Sequence, residues 1–260
     1  QRQVPSDQIQ EWIDSGPWIA TDAKESTLID GIAYFDELEE ASEALIGEYT
    51  IEALPDSTAQ DSPWLPSSKI AAVYVVGAIV PGETPGGGLF SLGPAVTGSR
   101  TIVRSLESAA QDPAVKAIVL RIDSPGGSSY ASDEIARAID RVRQDGLPVV
   151  VSMGGVAASG GYYVAAGSDA IWAQPNTITG SIGVYAGKFS TAPLYEMLGI
   201  GTTKIERGQS SSMFSGDQAW TEHQRQRMEH IVGDIYDQFK ARVARGRNMQ
   251  LEDVESAAQG

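Results

Sequence analysis

Short apolar runs, separated by glycine- and proline-rich punctuation, dominate the chain from residue 69 onward. Their length and β-branched content predict strands. Val149-Val150-Val151, preceded by the turn signal Asp145-Gly146-Leu147-Pro148, reads as a buried strand. Beyond it, Ser152, Met153 and two glycines read as a loop that turns into a helix at or near Ser159, with Tyr162–Ala166 helix-compatible. Upstream, Ile70–Val80 predicts a strand closing at Pro81-Gly82, and 82–98 a glycine- and proline-rich surface loop. A helix begins at Ser99 or Thr101, runs through Val103, Leu106 and Ala110, and breaks at Asp112-Pro113. Lys116–Ile122 is then a second strand, followed by a helix over Ala131–Arg143 with Ile135, Ala138, Ile139 and Val142 apolar. Downstream the pattern predicts a strand at Ala170–Ala173, a polar loop at Thr177–Gly180 and strands at Ser181–Tyr185 and Thr202–Glu206. Helices are expected at Phe189–Leu198, at Trp220 to about Val243 (Met228, Ile231, Ile235 and Phe239 on one face) and at Leu251–Ala258. Alternating strands and helices with long crossovers imply a mainly parallel α/β fold.

The first 50 residues read differently. Ser6-Asp7 is placed to cap a helix through Ile9, Trp12 and Ile13 that ends at Ser15-Gly16-Pro17, and Thr21-Asp22 opens a second. An acidic amphipathic segment covers Tyr34–Ile46, where Asp36, Glu37, Glu39 and Glu40 read as a solvated face. Residues 52–68, rich in proline, serine and aspartate, read as a linker. Gly86-Gly87-Gly88 lacks the Lys-Ser/Thr of a phosphate loop, so no nucleotide site is expected there.

Charge narrows the partners. A formal net charge of −15 argues against nucleic acid, which needs a basic footprint, and against adhesion to anionic lipid. With no cysteine, disulfides are excluded and the redox compartment stays open. No run approaches the roughly 18 apolar residues of a membrane span.

Candidate chemistry centres on Ser159. A hydroxyl between a strand and a helix start, flanked by Ala157-Ala158 and Gly160-Gly161, leaves room for a substrate backbone beside unpaired amides. A serine there most often only caps its helix. The preceding strand exit, Asp123-Ser124-Pro125-Gly126-Gly127-Ser128-Ser129, offers freed N–H groups in a Cβ-free turn, as an oxyanion hole requires. In a parallel sheet both exits fall at the carboxyl edge, where open α/β sheets keep their ligands.

Three segments together, Arg121–Gly127, Ala157–Tyr162 and Thr179–Val184, resemble the signal peptide peptidase A (protease IV) family of the Clp-protease/crotonase-like ββα-superhelix fold. The resemblance covers about residues 69–260. It implies that Ser159 is the acylated nucleophile and that the backbone N–H of Gly126 or Gly127, with that of Gly160, holds the oxyanion. It also implies a serine–lysine dyad. The two histidines, His223 and His230, fall on the long helix and read as surface residues.

Short members of the family carry the lysine in a Gly-x-x-Lys pattern, whereas Gly208-Gln209-Ser210-Ser211 stands at the matching place here. Long, two-repeat members supply the lysine from the amino-terminal repeat. The expectation is therefore a carboxyl-terminal half: residues 1–50 closing a preceding repeat, 51–68 a linker, and 69–260 the serine-bearing repeat. The dyad lysine then lies upstream, the isolated chain is inactive, and Lys188 is the alternative base. Lys204 reads as a solvent-facing strand residue. The resemblance implies cleaved signal peptides and other apolar peptides as substrates, no cofactor or metal, and a homotetramer tethered to the inner membrane at its periplasmic face. A crotonase-like acyl-CoA enzyme and a non-catalytic oligomerisation half are the rival readings.

Overall fold

The computed structural model describes residues 5–27, 29, 32, 68–85 and 94–259. The expected acidic helix at 34–46 and linker residues 52–67 lie outside them. Helices α1 (Ser6–Ser15) and α2 (Ala20–Glu25) come first, with Pro5 rather than Ser6 in the cap position of α1. Then follow β1 (Lys69–Val76), β2 (Ala78–Val80), β3 (Val96–Gly98), α3 (Ser99–Gln111), β4 (Val115–Ser124), α4 (Ser129–Gln144), β5 (Val149–Ala158) and α5 (Gly160–Ala166). The chain continues through β6 (Ala170–Trp172), β7 (Ile178–Gly180), α6 (Ala192–Met197), α7 (Glu222–Arg247) and α8 (Leu251–Ala258). Two compact units result: 65–185 with 232–260, and 186–231 with the amino-terminal residues.

The larger unit holds a parallel sheet in the order β1-β4-β5-β6, with β7 beside the carboxyl end of β5. This is the expected α/β frame. Alternation along β4 buries Ile118, Leu120, Ile122 and Ser124. The three apolar ones meet Val73 and Val75 of β1, Val149, Val151 and Met153 of β5, and Ile102, Leu106, Ile135 and Ile139 of α3 and α4 in one core. Each such side chain contributes about 1.5–3 kcal/mol by leaving water.

Several boundaries differ from the sequence pattern, each for a local reason. The apolar run Ile70–Val80 is two strands, because Gly77 turns the chain at φ +74° and β2 leaves to pair with β3. A side chain at Gly77 would start 1.9 Å from the Ala95 carbonyl oxygen. Thus the end of the expected 82–98 loop is a strand, while 86–93 lie outside the described residues. β5 continues past Gly154-Gly155 to Ala158, making a bulge: Ile122 pairs with Met153 and Ser124 with Ala157, so Asp123 faces three residues. Ile178–Gly180, expected as loop, is β7. Ser181–Tyr185 is not a strand, since Gly180 (φ +77°) and Ser181 (φ +48°) carry the chain off the sheet. Thr202–Glu206 is not one either: Ile205 is fully exposed, and Lys204 is not a free surface lysine but pairs with Asp217 at 3.0 Å. α6 is shorter than expected and starts beside Pro193.

Within the same large unit, α7 places Arg242, 5% exposed, against α4 and α5. Its guanidinium donates to Asp140 Oδ2 (2.6 Å) and Oδ1 (3.1 Å), to the carbonyl of Tyr163 (3.1 Å) and to that of Ala136 (3.2 Å). Phe239 meets Tyr163 edge-on at 5.1 Å. Truncation would leave the Asp140 carboxylate without its two-point partner and take one bond from each of the Tyr163 and Ala136 carbonyls. Arg242→Ala is expected to cost about 2–4 kcal/mol in urea unfolding, and Arg242→Lys to recover less than half, because an ammonium lacks the planar fork. A loss under about 0.5 kcal/mol would show this anchor to be dispensable.

In the smaller unit, α1 and α2 are tied to the first turns of α7. His223 Nε2 lies 3.0 Å from the Asp14 carbonyl, His230 Nε2 lies 2.8 Å from Asp22 Oδ2, and Arg227 pairs with Asp22 at 3.2 Å.

Candidate active site

β5 ends at Ala158, and the chain then turns into α5 through a single residue, Ser159, at φ 50° and ψ −122°. A residue with a β-carbon populates that region at a cost of about 1–3 kcal/mol, so its surroundings must hold it there. They do. The Ser159 N–H donates to the Gly180 carbonyl of β7 at 2.9 Å, and the Ser159 carbonyl accepts from Tyr163 N–H at 2.9 Å. The Ser159 hydroxyl does not cap α5. It is half-buried between buried Ala158 and buried Gly160. The usual structural duty of a serine at a helix start is therefore not performed here.

The glycine turn after β4 packs directly on this corner. Gly126 (φ +97°) and Gly127 (φ +155°) form a bend pinned at three points. Ile79 N–H donates to the Gly126 carbonyl (2.9 Å), Ser128 N–H donates to the Ile79 carbonyl (2.9 Å), and Gly126 N–H donates to Ser124 Oγ (3.1 Å). Pro125 has no N–H. That leaves the Gly127 N–H as the amide of the bend with no acceptor among the described residues. The Gly160 N–H, at the first position of α5, is likewise without one.

These groups share one small volume. A β-carbon built on Gly126 would lie 2.6 Å from Gly160 N and 2.9 Å from Ser159 Cβ, and one on Gly160 would lie 3.3 Å from Gly127 N. The register aligns Ser124 with Ala157, Ala157 with Thr179 and Ala158 with Gly180. So the three segments that carry the resemblance are neighbours at the carboxyl edge. Of the two glycines offered as first oxyanion donor, Gly126 has its N–H engaged, so Gly127 is the available one.

Sequence reasoning did not single out Ser124 or Asp123 for themselves. Asp123 Oδ1 accepts from Val156 N–H at 3.1 Å and fills the space against Gly154, whose β-carbon would fall 2.6 Å from its carboxyl carbon. The paired glycines 154–155 inside an apolar run were the available signal for this bulge.

The lysines below have partners of their own. Lys188 belongs to the smaller unit, where its ammonium donates to the carbonyls of Ser215 (3.0 Å) and Ser212 (3.4 Å), and burial pushes its pKa down. Lys240 pairs with Glu255 at 2.8 Å, which holds its pKa up. Lys69 pairs with Asp112 at 3.0 Å, and Lys116 donates to the Pro113 carbonyl at 2.7 Å. In the segment matching Gly-x-x-Lys, Ser211 Oγ donates to the Gly208 carbonyl at 2.8 Å.

Residues 141–260 match the profile of Peptidase family S49, and residues 95–178 that of Clp protease. The chain is 35% identical over 161 residues to a putative signal peptide peptidase SppA of Enterococcus faecium, covering 62% of this chain and 47% of that one. It is 36% identical over 200 residues to Protease 4 of Haemophilus influenzae (74% and 30%). It is also 30% identical over 266 residues to the chloroplastic serine protease SPPA of Arabidopsis thaliana (97% and 38%). The chain thus spans less than half the length of each of these three relatives. Taken with the strained serine beside the diglycine bend, these similarities establish that the chain belongs to the signal peptide peptidase A family, peptidase family S49, built on a Clp-protease-like α/β frame.

Proposed function

We propose that this chain carries the nucleophile and oxyanion hole of a serine peptidase that works with a lysine general base. Ser159 Oγ adds to the scissile carbonyl carbon while its proton passes to a neutral lysine amine. The carbonyl oxygen becomes an anion held by the N–H groups of Gly127 and Gly160. Collapse breaks the C–N bond, and the leaving amine takes the proton back from the lysine. Water, deprotonated by the same lysine, then hydrolyses the ester and restores Ser159. The observation that carries this reading is a strained serine whose hydroxyl spends nothing on its own helix, set beside two amides with no acceptor among the described residues.

The base, in this proposal, is a lysine supplied from outside this chain by the amino-terminal repeat of the same protein. Supporting it, the described lysines of the larger unit are engaged in ion pairs or carbonyl contacts, and serine occupies the Gly-x-x-Lys position. The substrates are cleaved signal peptides and other extended apolar peptides; the name of the Enterococcus faecium relative, a putative signal peptide peptidase, supports the first of these. The working form is a homotetramer at the periplasmic face of the inner membrane. Exposed Phe189, Met197, Ile205 and Phe214 in the smaller unit support association, because such side chains favour burial against another surface.

A fluorophosphonate probe tests the division of labour. Ser159 in the full-length protein is expected to be labelled at least about 100-fold faster than in this chain alone, since a missing general base costs on the order of 10²–10⁴. Lys188→Met in the full-length protein should leave that rate within about threefold, as expected for a group outside the machinery. Rapid labelling of the isolated chain, abolished by Lys188→Met, would make Lys188 the base instead.

A further inference from the structure

The diglycine bend could present either of two amides, and the fold selects one through a side chain that touches no substrate. Ser124 is completely buried, yet its hydroxyl faces back along the bend and accepts the Gly126 N–H at 3.1 Å. The same residue lies under the first turn of α5: a β-carbon built on Gly161 would fall 2.8 Å from the Ser124 carbonyl oxygen and 3.5 Å from Ser124 Cβ. Ser124 therefore touches the bend on one side and the first turn of α5 on the other. Without its hydroxyl, the Gly126 N–H becomes a second unpaired donor in a buried corner. A small rotation of the peptide plane between Pro125 and Gly126 would then compete with the orientation that leaves Gly127 available. The Ile79 N–H holds the peptide plane that carries the Gly126 carbonyl and the Gly127 N–H, whereas the preceding plane, between Pro125 and Gly126, is held through the Gly126 N–H by Ser124 Oγ.

We propose that Ser124 is a positioning residue of the catalytic machinery, its buried hydroxyl occupying the Gly126 amide so that Gly127 alone is aimed at the carbonyl oxygen attacked by Ser159. This rests on the peptidase reading above and deepens it. The hydroxyl acts on where negative charge forms, not on where the peptide lies. Its loss therefore lowers kcat and leaves KM alone. A single oxyanion donor is worth on the order of 10²–10³ in kcat, and misaiming one that remains present forfeits part of that, about 10–100-fold.

The experiment measures kcat and KM for peptide cleavage, with thermal midpoints, in the full-length protein carrying Ser124→Ala, Ser124→Cys or Ser124→Thr, beside Ser159→Ala. The expected result is a 10–100-fold fall in kcat for Ser124→Ala with KM within about twofold. Ser124→Cys, isosteric but a weak acceptor, should behave like alanine and serves in its place if alanine does not fold. Ser124→Thr, which keeps the hydroxyl, should recover most of kcat even if its extra methyl lowers the midpoint. The proposal is overturned by unchanged kcat in a folded alanine or cysteine variant. It is equally overturned if kcat across the three variants follows the thermal midpoint instead of the presence of the hydroxyl. If Ser159→Ala abolishes turnover while the Ser124 variants are normal, only the positioning role fails. Retained turnover in Ser159→Ala overturns the peptidase reading and this proposal with it.

Discussion

Replacing Ser159 with alanine in the full-length protein is expected to lower peptide turnover by about 10⁴-fold or more, the scale seen when a serine nucleophile is removed. The same change should leave the fold intact. The Ser159 hydroxyl caps nothing, and the residue's backbone bonds to Gly180 and Tyr163 do not involve its side chain. Alanine keeps a β-carbon at φ 50° and so keeps the strain, whereas Ser159→Gly removes it. The glycine variant should therefore be equally inactive yet more stable by about 1 kcal/mol, the strain having been retained for catalysis. Steady-state cleavage and urea unfolding of the three proteins check both halves. The rival readings separate here: an acyl-CoA enzyme using only the amides, or an oligomer-building half, predicts undiminished activity in Ser159→Ala. Undiminished peptide turnover would defeat the nucleophile assignment, and an unchanged midpoint in Ser159→Gly would remove the argument from strain.

Much of this corner was legible in the chain because its chemistry is local. Gly126, Gly127, Ser159 and Gly160 stand at strand exits that apolar runs and turn residues mark out, and a parallel sheet brings neighbouring exits to one edge. Ser159 could be singled out without the glycine two residues earlier that marks a nucleophile elbow. The φ and ψ of an elbow are nevertheless present, imposed by β7 and α5. What could not be read depends on contacts between distant segments. That Gly126 gives its N–H to Ser124, leaving Gly127, follows from the rotamer of one buried side chain. That Ile70–Val80 divides at Gly77 follows from Ala95, eighteen positions away, arriving where a side chain would stand. Ser181–Tyr185 and Thr202–Glu206 show the converse error. Both alternate like strands, but a strand exists only where a neighbour offers its backbone, and none among the described residues does.

Gly126→Ala should hurt both stability and activity although it adds a single methyl. The new methyl carbon would start 2.6 Å from Gly160 N, 2.9 Å from Ser159 Cβ and 3.0 Å from the Ala158 carbonyl oxygen. Two of the three are backbone atoms, so no side chain can swing aside to make room. The φ of +97° adds a conformational penalty that alanine cannot escape. Together these should cost about 2–4 kcal/mol of stability, within the range of overpacked and strained sites. Relief requires the bend and the corner to separate, and a displacement near 1 Å at reacting groups costs on the order of 10² in rate, so turnover should fall at least that far. Gly155→Ala is the control from the adjacent bulge. Its nearest neighbour would be Asp123 Oδ1 at 3.8 Å, an ordinary contact, so stability should move by no more than about 0.5 kcal/mol and turnover by less than about threefold. Urea unfolding, together with the second-order rate of Ser159 labelling by a fluorophosphonate, separates lost fold from lost alignment. A folded Gly126→Ala protein that labels at the wild-type rate would mean that the bend and the serine do not act on the same oxygen, and the oxyanion hole would have to be sought elsewhere.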